Sequence, residues 1–198
     1  MSKPFILGLT GSIGMGKSTT AQMFADAGIP VWDADATVHQ LYSGDTPAVH
    51  QIAQMIPNAV ENQTVNRDVL KAAIAQDKTI LGKLEAIVQP LIAASREAFI
   101  ASATTDIVII DHPLLLESKS DRYCDAILVV SVDAKTQRQR VLDRGTMDAQ
   151  TLDIILAKQM PDAEKCARAD YIVETTTLDA ARAQVQTVIN QIREQLHA

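Results

Sequence analysis

At 198 residues the chain is long enough for one domain with a sizeable core and a small insertion, and a 47% apolar composition excludes a disordered chain. A formal net charge of −6 removes any general attraction to nucleic acid or anionic membrane, so positive residues are expected to serve local sites. The two cysteines, Cys124 and Cys166, have no metal-type spacing and read as reduced thiols. The N-terminus enters a strand without a signal-peptide pattern, and no apolar run is long enough to span a membrane. A cytoplasmic protein is expected, with a monomer as the default.

Phe5–Leu9 reads as a buried parallel strand and Thr19–Ala25 as a helix. Between them lies Gly11-Ser-Ile-Gly-Met-Gly-Lys-Ser18, a match to G-x-x-x-x-G-K-[ST] at every fixed position. Strand, loop and helix are the context that this phosphate-binding loop requires. Gly11, Gly14 and Gly16 allow backbone conformations that turn successive N–H groups inward. The helix N-terminus adds a positive dipole end, and Lys17 a full positive charge for the outer phosphates. The expected nucleotide contacts are Gly11, Ser12, Ile13, Gly14, Met15, Gly16, Lys17, Ser18 and Thr19. Ser18 also offers a hydroxyl to Mg2+, which prefers oxygen ligands.

Ile29–Trp32 reads as a second strand delivering Asp33-Ala-Asp35 at its C-terminal end, the edge where open parallel sheets hold their ligands. Asp35 is expected to cap a helix over Ala36–Tyr42, and Asp33 is either a second helix-start carboxylate or a catalytic one. From Thr46 to Ala103 the pattern is helical, with segments at Ala48–Ile56, Asn66–Ala75 and Leu81–Ser102, the last kinked or restarted at Pro90. An all-helical insertion is expected there, as a place for an acceptor pocket.

Ile107–Ile110 is a β-branched strand ending in Asp111, where a carboxylate commonly meets the magnesium shell of a phosphate loop. The alternative is a strand end without a ligand. His112 is assigned no role. Ala126–Ser131 is a fourth strand and Asp133–Asp143 a helix bearing Arg138 and Arg140, with Arg144 just beyond it. A break at Gly145 leads to a helix over Ala149–Gln159. Arg140 and Arg144, four apart, share a helix face and read as lid arginines that close over phosphate, and Arg138 as a solvated surface residue. Ala169–Glu174 is a fifth strand and Leu178–Leu196 the closing helix. The expected fold is α/β, a P-loop NTPase with α/β/α layers around a five-stranded parallel sheet. Its core is 1–34, 104–142 and 167–198, its helical acceptor-binding insertion 35–103, and its lid 143–166.

In these residues the chain resembles the dephospho-coenzyme A kinases almost end to end. The likeness rests on Leu9–Ser18, Asp33-Ala-Asp35, Gly44–Ala48, Leu91 after Pro90, Pro113-Leu-Leu115 with Glu117, Gln159-Met-Pro161 with Lys165, and Ala169-Asp-Tyr171. The resemblance implies transfer of the ATP γ-phosphoryl to the ribose 3′-hydroxyl of dephospho-coenzyme A, the last step of coenzyme A synthesis. It implies Asp33 as the base on that hydroxyl and Arg140 as a phosphate contact. The chain departs from the family pattern at His39, Gln89 and His112. Two other readings stay open: a kinase of this architecture with another acceptor, such as a nucleoside monophosphate, and a nucleotide-dependent switch. Against the switch, no Asp lies three residues before a Gly and no Asn precedes a Lys, so D-x-x-G and N-K-x-D are both absent.

Overall fold

The computed structural model describes residues 3–198. Five strands form one sheet: β1 (Phe5–Thr10), β2 (Val31–Asp33), β5 (Ile107–Asp111), β6 (Ala126–Ser131) and β7 (Tyr171–Glu174). Their order is β2-β5-β1-β6-β7, and β1 pairs parallel with both β5 and β6. A parallel strand buried on both faces must be apolar along its length rather than alternating. All five residues of β5 are buried, and Leu7, Leu9, Leu128 and Val130 are fully so. Phe24 of α1 (Lys17–Asp26) and Val185, Ile189 and Ile192 of α9 (Leu178–His197) complete this core.

Two compact units divide the chain. One joins the stretch up to Trp32 with Ala103–Ala198, and the other is Asp33–Ser102. In the second unit, α2 (Ala34–Leu41), α3 (Pro47–Met55), α4 (Arg67–Gln76) and α5 (Thr79–Ser102) surround a separate apolar cluster that includes Val49, Ile52, Leu70, Leu84 and Val88. Thr46 caps α3 through Val49 N, and Asn66 caps α4 through Asp68 N and Val69 N.

Several expectations are corrected here. The insertion is not all helical: Val60–Glu61 (β3) and Thr64–Val65 (β4) form a small antiparallel hairpin. Its turn, Asn62-Gln63, has both φ values positive, the primed geometry that suits strand twist but lacks a glycine signal here. Pro90 does not restart a helix, since α5 runs through it for 24 residues. Leu84 and Val88 in the apolar cluster and the buried Arg96 fix turns on either side of it. Asp35 is not the cap of α2. The helix begins two residues earlier, and Asp33 Oδ1 accepts from Ala36 N at 2.9 Å, leaving Asp35 exposed in the first turn. The helix after Gly145 ends at Leu156 (α7, Ala149–Leu156), and a further helix, α8 (Asp162–Ala167), follows it. β7 begins at Tyr171 because Asp170 turns its carboxylate back to accept from Ile127 N at 2.8 Å.

Helix α8 is fastened from inside. Lys165 is fully buried, and its ammonium lies 2.9 Å from Glu117 Oε1 and 3.4 Å from the Pro113 carbonyl. Met160 N also donates to Glu117 Oε1, at 2.9 Å. Burial pushes the Glu117 carboxyl up, but the Lys165 and Met160 donors outweigh it and hold the group below the ordinary glutamate value. A depressed carboxyl stabilises the fold above its unfolded pKa and loses that contribution as pH falls through the folded value.

Glu117→Gln leaves the Lys165 charge buried without a counter-charge, a loss of about 3 kcal/mol, or roughly 10 °C in Tm for a chain of this size. The double variant Glu117→Gln/Lys165→Met is expected to recover part of it. Thermal melts between neutral pH and pH 3 should show the gap between parent and single variant closing as pH drops below the glutamate range. Equal Tm values at neutral pH would contradict the role given to this pair.

Candidate nucleotide site

Residues 11–16 leave the end of β1 and enter α1 at Lys17, with Gly16 at the N-cap in the left-handed region (φ 97°). Gly14 also has positive φ (80°), and a Cβ there would lie 2.5 Å from Val141 Cγ2. Position 14 therefore needs glycine both for its backbone and for the close approach of α6 (Ala134–Asp143). The Met15 side chain is turned into the core. It is 2% exposed, and its sulfur accepts from Val132 N at 3.3 Å.

Two carbonyls of the loop are held from outside it. Gln137 Nε2 of α6 donates to Ile13 O at 2.8 Å, and Thr175 Oγ1 donates to Met15 O at 2.6 Å. In a trans peptide the C=O and the next N–H point in opposite directions. Fastening these carbonyls therefore turns the Gly14 and Gly16 N–H groups the other way, away from Gln137 and Thr175. Ile13 N is engaged by Gln159 Oε1 at 3.3 Å.

The register of β1 on β5 sets Leu9 beside Asp111, at the strand ends from which the loop departs. Asp111 is 2% exposed, and Lys17 Nζ donates to its Oδ1 at 2.5 Å. This ion pair holds the lysine ammonium at the head of α1, where phosphates meet the helix dipole. Ser18 and Thr19, the next residues of α1, are exposed.

A cavity of ≈ 410 Å3 adjoins the loop, lined by Gly16, Thr19, Thr20 and Met23, by Arg140 and Arg144, and by Thr175–Leu178 with Ala181. Of the residues expected from sequence, it gathers Gly16, Thr19, Arg140 and Arg144. Arg140 does not wait on a lid. It lies within α6 and donates to Thr175 twice, Nη1 to the hydroxyl at 2.9 Å and Nη2 to the carbonyl. Arg144 follows α6 as its C-cap residue and is exposed. Arg138 pairs with Asp153 of α7 at 2.6 Å, both residues well exposed, which fits the surface role expected for it. Asp33 stands at the end of β2, its carboxylate engaged as the α2 cap. His112 Nδ1 accepts from Leu114 N at 3.0 Å, a local turn contact. His39 and Gln89 are exposed.

Thr175 and Gln137 escaped the sequence reading, and Gln159 entered it only through the family resemblance, with no contact to the loop expected. A signal for the first was present: three consecutive threonines at the C-terminal end of a parallel strand, where ligands gather. Gln137 carried none, since it sits on an ordinary amphipathic stretch.

Among the described residues, no group of three or more His, Cys, Asp or Glu is placed to hold a metal ion. Mg2+ does not need one, because it keeps several waters and binds through one or two protein oxygens plus substrate phosphates. The Ser18 hydroxyl and the Asp111 carboxylate are oxygen donors of that kind, so the residues present fit this ion. No helix of the described residues is long and apolar enough to cross a membrane.

Comparison with known proteins agrees with this geometry. A family model described as dephospho-CoA kinase matches residues 5–180. The chain is similar to a dephospho-CoA kinase of Cereibacter sphaeroides, 54% identical over 192 residues, covering 97% of this chain and 98% of that one. It is similar also to one of Ruegeria pomeroyi, 53% identical, with 96% of each chain covered. Among solved structures, TT1252 from Thermus thermophilus superposes with a TM-score of 0.82 at 25% identity, covering 96% of this chain and 98% of that one. A dephospho-CoA kinase from Campylobacter jejuni shares the fold, with a TM-score of 0.70 at 21% identity and the same coverage. A phosphate loop joined to an arginine-lined cavity, on a sheet of this order and with relatives this similar, makes the chain a member of the dephospho-CoA kinase family.

Proposed function

We propose that the chain transfers the γ-phosphoryl group of ATP to the ribose 3′-hydroxyl of dephospho-coenzyme A. The observation that carries the ATP half is the convergence of Gly16, Thr19, Arg140 and Arg144 on one cavity beside the loop. The acceptor half rests on the family. Phosphoryl transfer through a loose transition state asks for positioning and charge stabilisation more than for covalent chemistry. Lys17 and the loop N–H groups hold the outer phosphates, and Arg140 and Arg144 meet the charge that spreads onto the transferred group. Asp33 orients the acceptor hydroxyl and takes its proton as transfer proceeds. Mg2+, held by Ser18 and by Asp111 directly or through water, would neutralise the β- and γ-oxygens.

In this reading residues 35–103 carry the acceptor and residues 143–166 act as a lid that excludes water. The burial of Lys165 confines any closing movement to the stretch ahead of α8. A biosynthetic reaction that consumes ATP belongs in the cytoplasm, where thiols such as Cys124 and Cys166 stay reduced. The direct test is ADP release in the presence of Mg2+ with dephospho-coenzyme A, with a nucleoside monophosphate, or with no acceptor. Release only with dephospho-coenzyme A supports the reading, whereas release with the monophosphate alone, or equally without acceptor, overturns it.

Lys17→Ala is expected to lower turnover by at least roughly a hundredfold, on the order of 3 kcal/mol of lost phosphate stabilisation. Near-normal turnover would remove the loop from the reaction.

Arg140→Ala should reduce kcat strongly while Arg138→Ala stays within about twofold of the parent, because an exposed ion pair contributes little. Steady-state kinetics of the two variants side by side decide this, and an equal effect would return Arg140 to a structural role.

Asn is as good a helix cap as Asp but cannot accept a proton, so Asp33→Asn keeps α2 and isolates the chemistry. Turnover should fall roughly a hundredfold with Tm little changed. Asp35→Asn should be nearly silent in both measurements. If Asp35→Asn is the inactive enzyme, the base lies two residues on.

A further inference from the structure

We propose that Thr175 is a positioning residue for phosphoryl transfer, one hydroxyl that sets both the phosphate loop and the arginine facing it. The inference rests on the nucleotide reading above and adds a residue to it.

The strand β7 ends at Glu174, and Thr175 continues its ladder by donating its N–H to Ser131 O at 3.0 Å. The residue is 8% exposed, and its backbone is fixed by the sheet. A threonine hydroxyl has one proton to give and can accept as well. The proton goes to Met15 O at 2.6 Å, the shorter of two candidate bonds, since Ser131 O lies at 3.5 Å. The oxygen accepts from Arg140 Nη1 at 2.9 Å, while the Thr175 carbonyl accepts from Nη2.

Each of these bonds has a consequence in the cavity. Fastening Met15 O turns the Gly16 N–H away from Thr175. Holding Arg140 by two of its N–H groups fixes the plane of the guanidinium and leaves its other donors for the cavity that Arg140 lines. The side chain also packs on the loop itself: a Cβ on Gly16 would lie 3.1 Å from Thr175 Oγ1 and 3.2 Å from its methyl carbon. A donor in the loop and a cation outside it are thus referred to one strand end, so their separation is set before any nucleotide arrives. Such preorganisation saves the cost of ordering both groups at the moment of binding and reaction.

The test compares Thr175→Val, which removes the hydroxyl but keeps the branched shape, with Thr175→Ser, which keeps the hydroxyl. Thr175→Ala runs in parallel, as it removes the hydroxyl without a second methyl group. Calorimetric titration with ATP and Mg2+, without acceptor, should show Thr175→Val and Thr175→Ala weakened about tenfold, the size of one lost hydrogen bond to a charged group. Thr175→Ser should bind within about twofold of the parent. Normal ATP binding by Thr175→Val and Thr175→Ala would overturn the proposal. So would equal losses in Thr175→Val and Thr175→Ser that follow equal falls in Tm. No acceptor is present, so a wrong acceptor assignment would leave this comparison standing.

Discussion

A triphosphate can be held only where many hydrogen-bond donors converge in a small volume, and a peptide chain does not offer this by default. Every N–H that turns inward sends a neighbouring carbonyl outward, and an outward carbonyl in a buried loop needs a donor of its own. Here those donors come from other elements: Gln137 of α6 for Ile13 O and Thr175 after β7 for Met15 O. The loop is therefore shaped as much by what stands behind it as by its glycines. Positions 14 and 16 show both effects, since each has positive φ and each is closely backed, by Val141 and by Thr175 respectively.

The parallel sheet makes this backing possible. With β1 between β5 and β6, its C-terminal end is flanked by Asp111 on one side and by Val129 opposite Thr10 on the other. Asp111 holds the Lys17 ammonium from the first side. On the second, β6 leads into α6, which carries Gln137 and Arg140, and β7 beyond it delivers Thr175. Strand order thus decides which side chains reach the loop. The buried Glu117–Lys165 pair serves another purpose. It fastens α8 to the segment that follows β5, and so fixes one end of the excursion that follows Arg144.

Much of this was legible in the sequence, and the parts that were not have physical reasons. The phosphate loop and the buried strands follow local rules of pattern and conformation, and α1, α4 and α9 fall within two residues of their expected positions. Strand β7 starts late because a distant backbone N–H claims Asp170, which no local pattern announces. Pro90 reads as a kink or a restart because its ring lacks the backbone donor, whereas packing on both sides keeps α5 continuous through it. The cap of α2 was misplaced by two residues because Asp33 and Asp35 are equally good caps, and only the end of β2 chooses between them. Arg140 and Arg144 read from sequence as lid arginines on one helix face, whereas Arg140 lies within α6 and Arg144 at its C-cap, both lining one cavity. The hold of Thr175 on Arg140 spans 35 residues of sequence and has no local signature.

The central claim is that the backbone of this loop is aimed before nucleotide binds, with the Gly14 and Gly16 N–H groups on the phosphate side. Amide 1H–15N spectra recorded through a titration with ADP and Mg2+ read it atom by atom. The account predicts that the Gly14 and Gly16 amide protons move far downfield on charged hydrogen bonding, while the interior amides of β5 stay in place. Large shifts spread through β5, with those loop amides unmoved, would contradict it.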